Sequence, residues 1–325
     1  MSPPAFRHVD QDRTTVFGRG AVEAAADLIG EGFTLLTTPR AAASVPALVA
    51  RAGARVDVPA GLVEDIATDL RGQAPGGRFV ALGGGRVVDV AKALAAADPP
   101  RTVIAVPTTL SGAEMTGVHR MARGLPAGTP TKRPDVVVND PALSASADVA
   151  QLAASSANAL GHTLIGLSDP SISPIASAVA LQAARTLATG WATEDPDRDA
   201  LALGALLAGW ALDVTSIGLH HALAQTAVRV AGATHAGANA ALLPHTAAAM
   251  RVRCPDAMAR ADADLGEPFE QLAARLRDRA GGERIDVTHL EVLVETAAGR
   301  PELQRVPPVP DAGELRALYG AAASW

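Results

Sequence analysis

The stretch that decides the fold is RFVALGGGRVVDVAKALAAA, residues 78–97. An apolar, strand-like run ends in Gly83-Gly84-Gly85, and a helical pattern follows it directly. A strand that passes through glycines into a helix is typical of a parallel α/β sheet. Free backbone N–H groups at such a helix start attract anions, so the three glycines are a candidate pyrophosphate site. The spacing differs from G-x-G-x-x-G, and a simple tight turn is the alternative.

Strands and helices alternate on both sides of this stretch. The predicted strands lie at 33–38, 54–58, 78–85, 102–109 and 136–140. The predicted helices around them lie at 21–30, 41–53, 61–73 and 87–97. This order predicts a doubly wound, mostly parallel sheet.

After about residue 147 the strand-like runs vanish and long Ala- and Leu-rich segments take over. Helices are predicted at 148–167, 173–190, 197–228, 236–251, 256–280, 286–299 and 311–323. We therefore predict two domains, an α/β domain at 1–147 and an all-helical domain at 148–325.

The composition of the 325-residue chain argues against several classes of function. A net charge of -6 argues against partners such as nucleic acid or an anionic membrane, and 3% aromatic residues offer no stacking platform for single strands. The single cysteine, Cys254, excludes an intrachain disulfide and favours a reducing compartment. No run approaches a membrane helix, and the first residues lack signal-peptide character. We therefore expect a cytoplasmic protein.

A second motif, VPTTLSGAEMT at 106–116, follows a predicted strand at its carboxyl end, where open α/β sheets bind ligands. The hydroxyls of Thr108 and Thr109 could bind a phosphate or a ribose there, or they could cap a helix. Glu114 could pair with a cation or a backbone N–H.

The chain has only two lysines, Lys92 and Lys132, and both are therefore candidates for a specific role. Lys92 lies one turn into the helix after the glycines, where it could contact a phosphate or be solvated. Lys132 precedes a predicted strand and could reach a ribose or a phosphate. Asp89 falls in the first turn of the same helix as Lys92, where a carboxylate is favourable whatever the function.

Histidines cluster in the helical half. NALGH places Asn158 and His162 four residues apart, on one helix face, and the stretch GLHHALAQTAVRVAGATHAGANAALLPH (218–245) carries His221 and His235 fourteen residues apart. Three imidazoles would suit a divalent metal, but the fourth partner is a neutral amide in place of a carboxylate. The alternative is a hydrogen-bonding and proton-transfer cluster. The remaining histidines of the stretch, His220 and His245, are expected to be structural or peripheral.

In this order, GGGRVVDVAKA, PTTLSGAEMT, NALGH and GLHHALA…THAGANAALLPH resemble the iron-dependent (group III) alcohol dehydrogenases, which have a dehydroquinate synthase-like fold. The resemblance implies that an Asp and three His of that family correspond to Asn158, His162, His221 and His235. PTT-x-x-G-x-EMT, the Asn, the GLHH pair and a G-x-x-LAG stretch at 204–209 are most similar to the maleylacetate reductases of the family. That subgroup implies reduction of a double bond conjugated to carboxylates by NADH or NADPH, without a metal.

Some residues depart from the family pattern. GGGS is replaced by GGGR, so Arg86 would lie beside the pyrophosphate. There it could contact a phosphate, including the 2′-phosphate of NADPH, or replace a serine contact. PHAE is replaced by THAG, a further histidine is replaced by Gln225, and the acidic residue after the NA-x-x-H motif is missing. These departures leave room for a substrate other than maleylacetate.

We therefore predict a metal-independent NAD(P)H reductase whose small, carboxylate-bearing substrate binds in an interdomain cleft. The predicted catalytic residues are Asn158, His162, His221 and His235. The predicted cofactor-binding residues are Thr37, Gly83, Gly84, Gly85, Arg86, Thr108, Thr109 and Lys132; Thr37 stands where an acidic residue would bind the adenosine ribose, which favours tolerance of NADPH.

Two alternatives stay open at this point. One is an iron or zinc alcohol dehydrogenase in which Asn158 joins His162, His221 and His235 as a weak fourth ligand. The other is a non-redox lyase, cyclase or binding protein of the same fold. We expect a homodimer in each case.

Overall fold

The computed structural model describes residues 3–144, 147–169 and 171–323. The chain divides into two compact units, one of Met1–Ser146 with Asp197–Gly209 and one of Ala147–Pro196 with Trp210–Trp325. The sequence prediction placed the whole of 148–325 in one domain, whereas the segment Asp197–Gly209 packs with the first unit. A division into independently folding domains stays a prediction.

Two interactions explain why the segment at 197–209 belongs to the first unit. Arg19 forms an ion pair with Asp199, with an Nη2–Oδ1 distance of 2.7 Å. A side chain on Gly209 would place its Cβ 2.7 Å from the carbonyl oxygen of Gly112, so only glycine allows the two backbones to approach this closely.

The first unit contains a mostly parallel sheet of seven strands in the order β1-β2-β7-β6-β5-β3-β4. The strands are β1 (Phe6–Asp10), β2 (Arg13–Phe17), β3 (Thr34–Thr37), β4 (Ala54–Asp57), β5 (Arg78–Gly83), β6 (Thr102–Pro107) and β7 (Val136–Asn139). Only the β1–β2 pair is antiparallel, and β1 was not predicted because most of its side chains are exposed and it lacks a buried face. The doubly wound, mostly parallel sheet is confirmed.

Helices cover both faces of this sheet. The helices of the first unit are α1 (Ala21–Ala24), α2 (Ala26–Ile29), α3 (Pro39–Ser44), α4 (Pro46–Val49), α5 (Val63–Leu70), α6 (Gly85–Ala97) and α7 (Pro141–Ser144). One apolar core includes Ile29, Leu35 and Val80, and a second includes Phe79, Val88 and Leu94. Neighbouring strand residues such as Phe79 and Val80 point to opposite faces, which explains why these buried strands read as continuous apolar runs.

The second unit is helical, and no strand occurs among the described residues from 147 onward. Its helices are α8 (Val149–Ser168), α9 (Pro174–Gly190), the end of α10 (Arg198–Thr215), α11 (Leu219–Val230), α12 (His235–Arg253), α13 (Pro255–Leu265), α14 (Phe269–Arg279), α15 (Leu290–Ala298) and α16 (Ala312–Ala323). The all-helical C-terminal half is thus confirmed.

Four helices predicted as continuous are broken. In the first unit, 21–30 divides into α1 and α2, and 41–53 divides into α3 and α4. The segment 197–228 divides into α10 and α11 because Ser216 adopts a positive φ of 74°, and Gly218 then begins α11. The segment 256–280 divides into α13 and α14 because Gly266, with a φ of 78°, ends the first helix and Pro268 starts the second. The break at Ser216 matters for the site, since it places the GLHH pair in the first turn of a new helix.

Among the described residues, no single helix has both the length and the apolar character needed to cross a membrane; α10 and α11 pass this test only jointly, as a sharply bent pair.

Candidate active site

The first unit has a topological switch point between β3 and β5. The chain leaves β3 for the edge strand β4, and then returns to β5 on the other side. Open α/β sheets bind ligands outside the carboxyl ends of strands at such a point. β3 ends there at Thr37 and β5 at Gly83, which places the glycine stretch at the expected position for a dinucleotide.

The glycines of this stretch form a cradle without side chains. Gly84 is the N-cap residue of α6 and supplies no side-chain cap, so the first N–H groups of this thirteen-residue helix are available to an anion. A Cβ on Gly84 would lie 3.1 Å from Thr109 Cγ2, and one on Gly85 would lie 3.0 Å from Ser111 Cβ. The PTTLS segment thus packs directly against the loop, and the donor set fits a pyrophosphate.

The other cofactor candidates in this region have different surroundings. Thr108 donates its backbone N–H to the carbonyl of Gly83 at 2.9 Å, while the side chain of Thr109 is exposed beside the cradle. Arg86 is exposed in the first turn of α6. Thr37 is fully buried and its hydroxyl donates to the Leu82 carbonyl at 2.9 Å, so it joins β3 to β5 within the sheet.

Lys132 is not brought to the cradle. Its Nζ lies 2.6 Å from Asp135 Oδ1, and the other oxygen of Asp135 accepts the backbone N–H of Val103. Val103 lies at the amino end of β6, whereas Gly83 lies at the carboxyl end of the neighbouring parallel strand β5. The predicted approach of Lys132 to the nucleotide is therefore corrected: its ion pair holds it at the wrong end of the strands.

Lys92 is neither solvated nor free to contact a phosphate, which were the two roles expected from the sequence. Its side chain is fully buried, and Nζ donates to the carbonyls of Ala113, Thr116 and Val118 at 2.9, 3.1 and 3.1 Å. It also pairs with Asp89 Oδ1 at 2.7 Å. Lys92 therefore connects the segment after PTTLS to α6, the helix that follows the glycine cradle.

Glu114 is a buried carboxyl group within the segment that Lys92 holds. Its Oε1 accepts a bond from Asn139 Nδ2 at 3.4 Å, and Oε2 has no hydrogen-bond partner among the described residues. Burial raises the pKa of Glu114 to about 7, and the Lys92 charge and the Asn139 bond offset only part of that rise. At neutral pH the group is therefore shared between its neutral and charged forms.

This raised pKa predicts a pH-dependent stability. The folded protein holds a proton on Glu114 that the unfolded chain releases above its ordinary value of 4.5, so stability falls as pH rises from 4.5 through 7. The free energy of unfolding of Glu114→Gln should rise, relative to that of the wild type, by about 2–3 kcal/mol between roughly pH 5 and pH 8. Urea unfolding at both pH values measures the difference, with the exposed Glu31→Gln as control. Parallel pH curves for wild type and Glu114→Gln would contradict the prediction.

The second unit brings Asn158, His162, His221 and His235 together with His220, around helices α8, α11 and α12. Asn158 and His162 lie on one face of α8, four residues apart. His235 begins α12, capped by Thr234, whose hydroxyl accepts the N–H of Gly237. The Nε2 of His235 lies 3.1 Å from Asn158 Oδ1, so the imidazole donates a hydrogen bond to the amide oxygen.

The other three imidazoles pack against one another. The rings of His162 and His221 lie 4.6 Å apart with an angle of 31°, and those of His220 and His221 lie 4.9 Å apart, edge to face at 87°. His220 was expected to be structural or peripheral; it is buried and contacts the His221 ring, which lies between His162 and His220. His245 lies outside it, half-buried, where burial and then the charge of Arg277 lower its pKa.

Burial keeps these imidazoles neutral. It lowers the pKa of His162 and of His220 to about 3, with smaller contributions from neighbouring histidines, and it lowers the pKa of His221 in the same direction. His162 Nδ1, His220 Nε2 and His221 Nε2 are buried without hydrogen-bond partners among the described residues. A cluster of neutral rings with unused nitrogens can accept or donate hydrogen bonds to a ligand, but it holds little imidazolium at neutral pH.

A cavity of about 50 Å³ lies beside the two adjacent histidines. Gly161, His220 and His221 line one side, and most of the remaining lining is apolar; it comprises Leu164, Ile165, Ser168, Asp169, Leu212, Ser216, Gly218, Leu219, Met250, Cys254, Arg305, Val306 and Pro307. Asn158, His162 and His235 are absent from this lining. Of the four predicted catalytic residues, only His221 therefore faces the cavity.

The histidine cluster does not fit a divalent metal. No group of three or more His, Cys, Asp or Glu has a metal-binding arrangement in the described ranges. The Nε2 of His235 is engaged with Asn158, and the set contains no carboxylate to offset the charge of an ion.

A switch-point cradle for a dinucleotide and a buried imidazole cluster in a helical unit define a class of nucleotide-dependent oxidoreductases. Residues 152–295 match the Fe-containing alcohol dehydrogenase family, C-terminal. The chain belongs to this family, and it is an NAD(P)H-dependent reductase that acts on a small molecule.

Known relatives narrow the comparison to one branch of the family. The chain is 34% identical over 273 residues to the maleylacetate reductase of Sphingobium indicum, covering 77% of each protein. It is 30% identical to the maleylacetate reductase of Rhizobium sp. strain MTP-10005, over 88% of this chain and 89% of the relative. The crystal structure of maleylacetate reductase from Agrobacterium tumefaciens superposes with a TM-score of 0.80 at 25% identity, over 99% of this chain and 98% of that one.

Sequence reasoning missed two residues of the histidine cluster. The first is His220, because adjacent histidines in a helix point in different directions and the sequence does not show which one is buried. The second is Gly161, within the NALGH motif: a Cβ there would lie 2.5 Å from His220 Nε2. A glycine inside an Ala-rich helix can indicate that another group packs closely against the helix backbone. Here that group is the ring of His220.

Proposed function

We propose that the chain is a metal-independent NADH- or NADPH-dependent reductase of a small, carboxylate-bearing substrate with a conjugated double bond or carbonyl. Asn158 carries this proposal. At the position where the family pattern has a charged metal ligand, a neutral amide oxygen binds an imidazole N–H. The relatives named for maleylacetate point to the substrate class.

The cofactor would be held by residues of the first unit. The pyrophosphate would bind the N–H groups of Gly84, Gly85 and the first turn of α6. Thr108 and Thr109 would contact the ribose and nicotinamide half, and Arg86 would reach a phosphate, including the 2′-phosphate of NADPH. When bound, the reduced nicotinamide supplies the hydride.

The histidines would act on the substrate as neutral hydrogen-bonding groups. Hydride addition to one carbon of a conjugated double bond leaves negative charge on the rest of the conjugated system, and a proton taken from water then completes the saturated product. The low pKa of His162 argues against a stored imidazolium as the proton source and favours N–H donation to the developing charge. The position of His221 in the cavity lining supports this role for it. The other three residues, His162, His235 and Asn158, would orient the His221 side chain.

We further propose that the enzyme is a cytoplasmic homodimer without nucleic-acid or membrane partners. The net charge of -6 and the low aromatic content of 3% support the last point.

Steady-state kinetics with maleylacetate and either NADH or NADPH test the proposal. We expect oxidation of the reduced nucleotide at a rate that a chelator such as EDTA leaves unchanged, in protein whose iron and zinc content is far below one ion per chain. Without a metal, EDTA removes nothing that the neutral cluster needs.

The opposite results are equally clear. Loss of turnover with EDTA and recovery with Fe²⁺ or Zn²⁺ would establish the metal-dependent alternative, with Asn158 as a weak ligand. Aerobic and anaerobic preparations should be compared, because iron is lost on oxidation. If neither NADH nor NADPH binds in a fluorescence titration, the reductase assignment itself is wrong.

A further inference from the structure

His220 is the buried histidine for which the proposed reaction gives no role. Its side chain is 3% exposed, and its Nδ1 lies 3.0 Å from the hydroxyl of Thr246. Its ring meets that of His221 edge to face. Three groups therefore form a chain, from Thr246 on α12 through His220 to His221 at the cavity.

The hydrogen-bond partners of Thr246 bear on which nitrogen of His220 carries the proton. The Thr246 hydroxyl lies 3.0 Å from the carbonyl of Leu242, one helical turn earlier, and 3.2 Å from that of Leu243. A hydroxyl has one proton, and a carbonyl can only accept it. If that proton goes to one of these carbonyls, the Thr246 oxygen accepts from His220, and His220 then carries its proton on Nδ1.

The space around the other side of the ring is equally specific. The Nε2 of His220 is buried without a partner, in the place that a side chain on Gly161 would occupy. His220 lines the same cavity as His221. The ring thus contacts a hydroxyl at Nδ1, and Gly161 leaves the space that the Nε2 side of the ring occupies.

We propose that His220 is a positioning residue of the reductase: held in one tautomer by Thr246, it fixes the orientation of the His221 ring at the cavity. This role rests on the proposed function, in which His221 contacts the substrate. His220 would act through His221 rather than on the substrate itself. The first histidine of the GLHH pair thereby acquires a function distinct from that of the second.

The matched variants Thr246→Val and Thr246→Ser test the proposal. Valine keeps the shape of threonine but removes the acceptor, which leaves a buried Nδ1–H unpaired and favours the other tautomer. Serine keeps the hydroxyl. With maleylacetate and NADH or NADPH, we expect Thr246→Val to lower kcat by roughly tenfold because His221 is misoriented, with the nucleotide KM unchanged. Thr246→Ser should retain the wild-type kcat.

Nitrogen-15 NMR of histidine-labelled protein reads the tautomer independently of activity. The His220 signal is assigned by its loss in His220→Gln. We expect a proton on Nδ1 in the wild type and in Thr246→Ser, and a shift toward Nε2–H in Thr246→Val. A wild-type proton on Nε2 would overturn the proposal. So would equal kcat values for the two Thr246 variants in an active enzyme, because residues that only fill space would show this result.

Failure of the underlying function gives a different result. If the wild type oxidises neither nucleotide with any substrate of this class, the proposed function falls and the role of His220 in it falls too. If the wild type is active and the two variants have equal kcat, only the role of His220 is overturned.

Discussion

Replacing Lys92 with methionine is expected to destabilise the first unit by about 3–5 kcal/mol. Lys92 is fully buried, and its ammonium group binds three backbone carbonyls and the Asp89 carboxylate. Methionine fills much of the volume but provides no donor. The variant therefore leaves three carbonyls and a carboxylate without their buried cation.

The second lysine of the chain provides the control. Lys132 pairs with Asp135 near the surface, with 27% and 30% of the two side chains exposed, so Lys132→Met should cost less than about 1 kcal/mol. Urea unfolding followed by far-UV circular dichroism measures both variants. Hydrogen exchange should show faster exchange at 113–118 in Lys92→Met alone. Equal stabilities of the two variants would show that the buried lysine has no structural role.

The same variant should weaken nucleotide binding. Lys92 fixes the segment after PTTLS, and Ser111 of that motif packs against Gly85 in the cradle. A fluorescence titration with NADH would then give a higher Kd for Lys92→Met than for Lys132→Met. An unchanged Kd in a destabilised protein would mean that the cradle keeps its shape without the lysine.

Replacing Gly161 with alanine is expected to have the largest effect on catalysis. The added methyl group would overlap His220, and it would also lie 3.2 Å from His221 Cε1. Both rings must move, since α8 fixes the position of the new Cβ. We expect kcat to fall roughly 100-fold. Stability should fall by about 1–3 kcal/mol from overpacking.

Two further glycines separate the possible causes. Gly166→Ala, on the same helix, would place its Cβ 2.7 Å from Ala180 Cβ, away from the histidines, so it should lose stability but retain kcat. Gly320→Ala in α16 meets no atom within 4 Å and should stabilise its helix by up to about 1 kcal/mol. If Gly161→Ala and Gly166→Ala retain kcat equally, the room left for His220 is unimportant for the reaction.

The sequence predicted the architecture well because its patterns are physical requirements of that architecture. The apolar run 78–83 must be continuous, since both faces of β5 are buried, and the glycines after it must lack side chains, since Thr109 and Ser111 occupy that space. The ends of helices were harder to predict. Ser216 has no residue-level signature for the positive φ that separates α10 from α11.

The candidate site was predicted in part for a similar reason. The spacing of Asn158, His162, His221 and His235 identified the elements that meet, and the structure brings these residues together in the second unit. Spacing gives no information about what a side chain meets in three dimensions. Lys92 and Lys132 looked equally suited to a phosphate, but one is buried among carbonyls and the other is held by Asp135 at the far edge of the sheet.

The attachment of the 113–118 segment to α6 also has a consequence for the kinetics of nucleotide capture. The bonds from Lys92 are made inside the unit, to carbonyls 21 to 26 residues further along the chain, and none of them needs a ligand. One wall of the cradle is thus already ordered when the nucleotide arrives. The encounter then loses little conformational entropy on that side, and the association rate is governed by diffusion and orientation rather than by the closing of a loop.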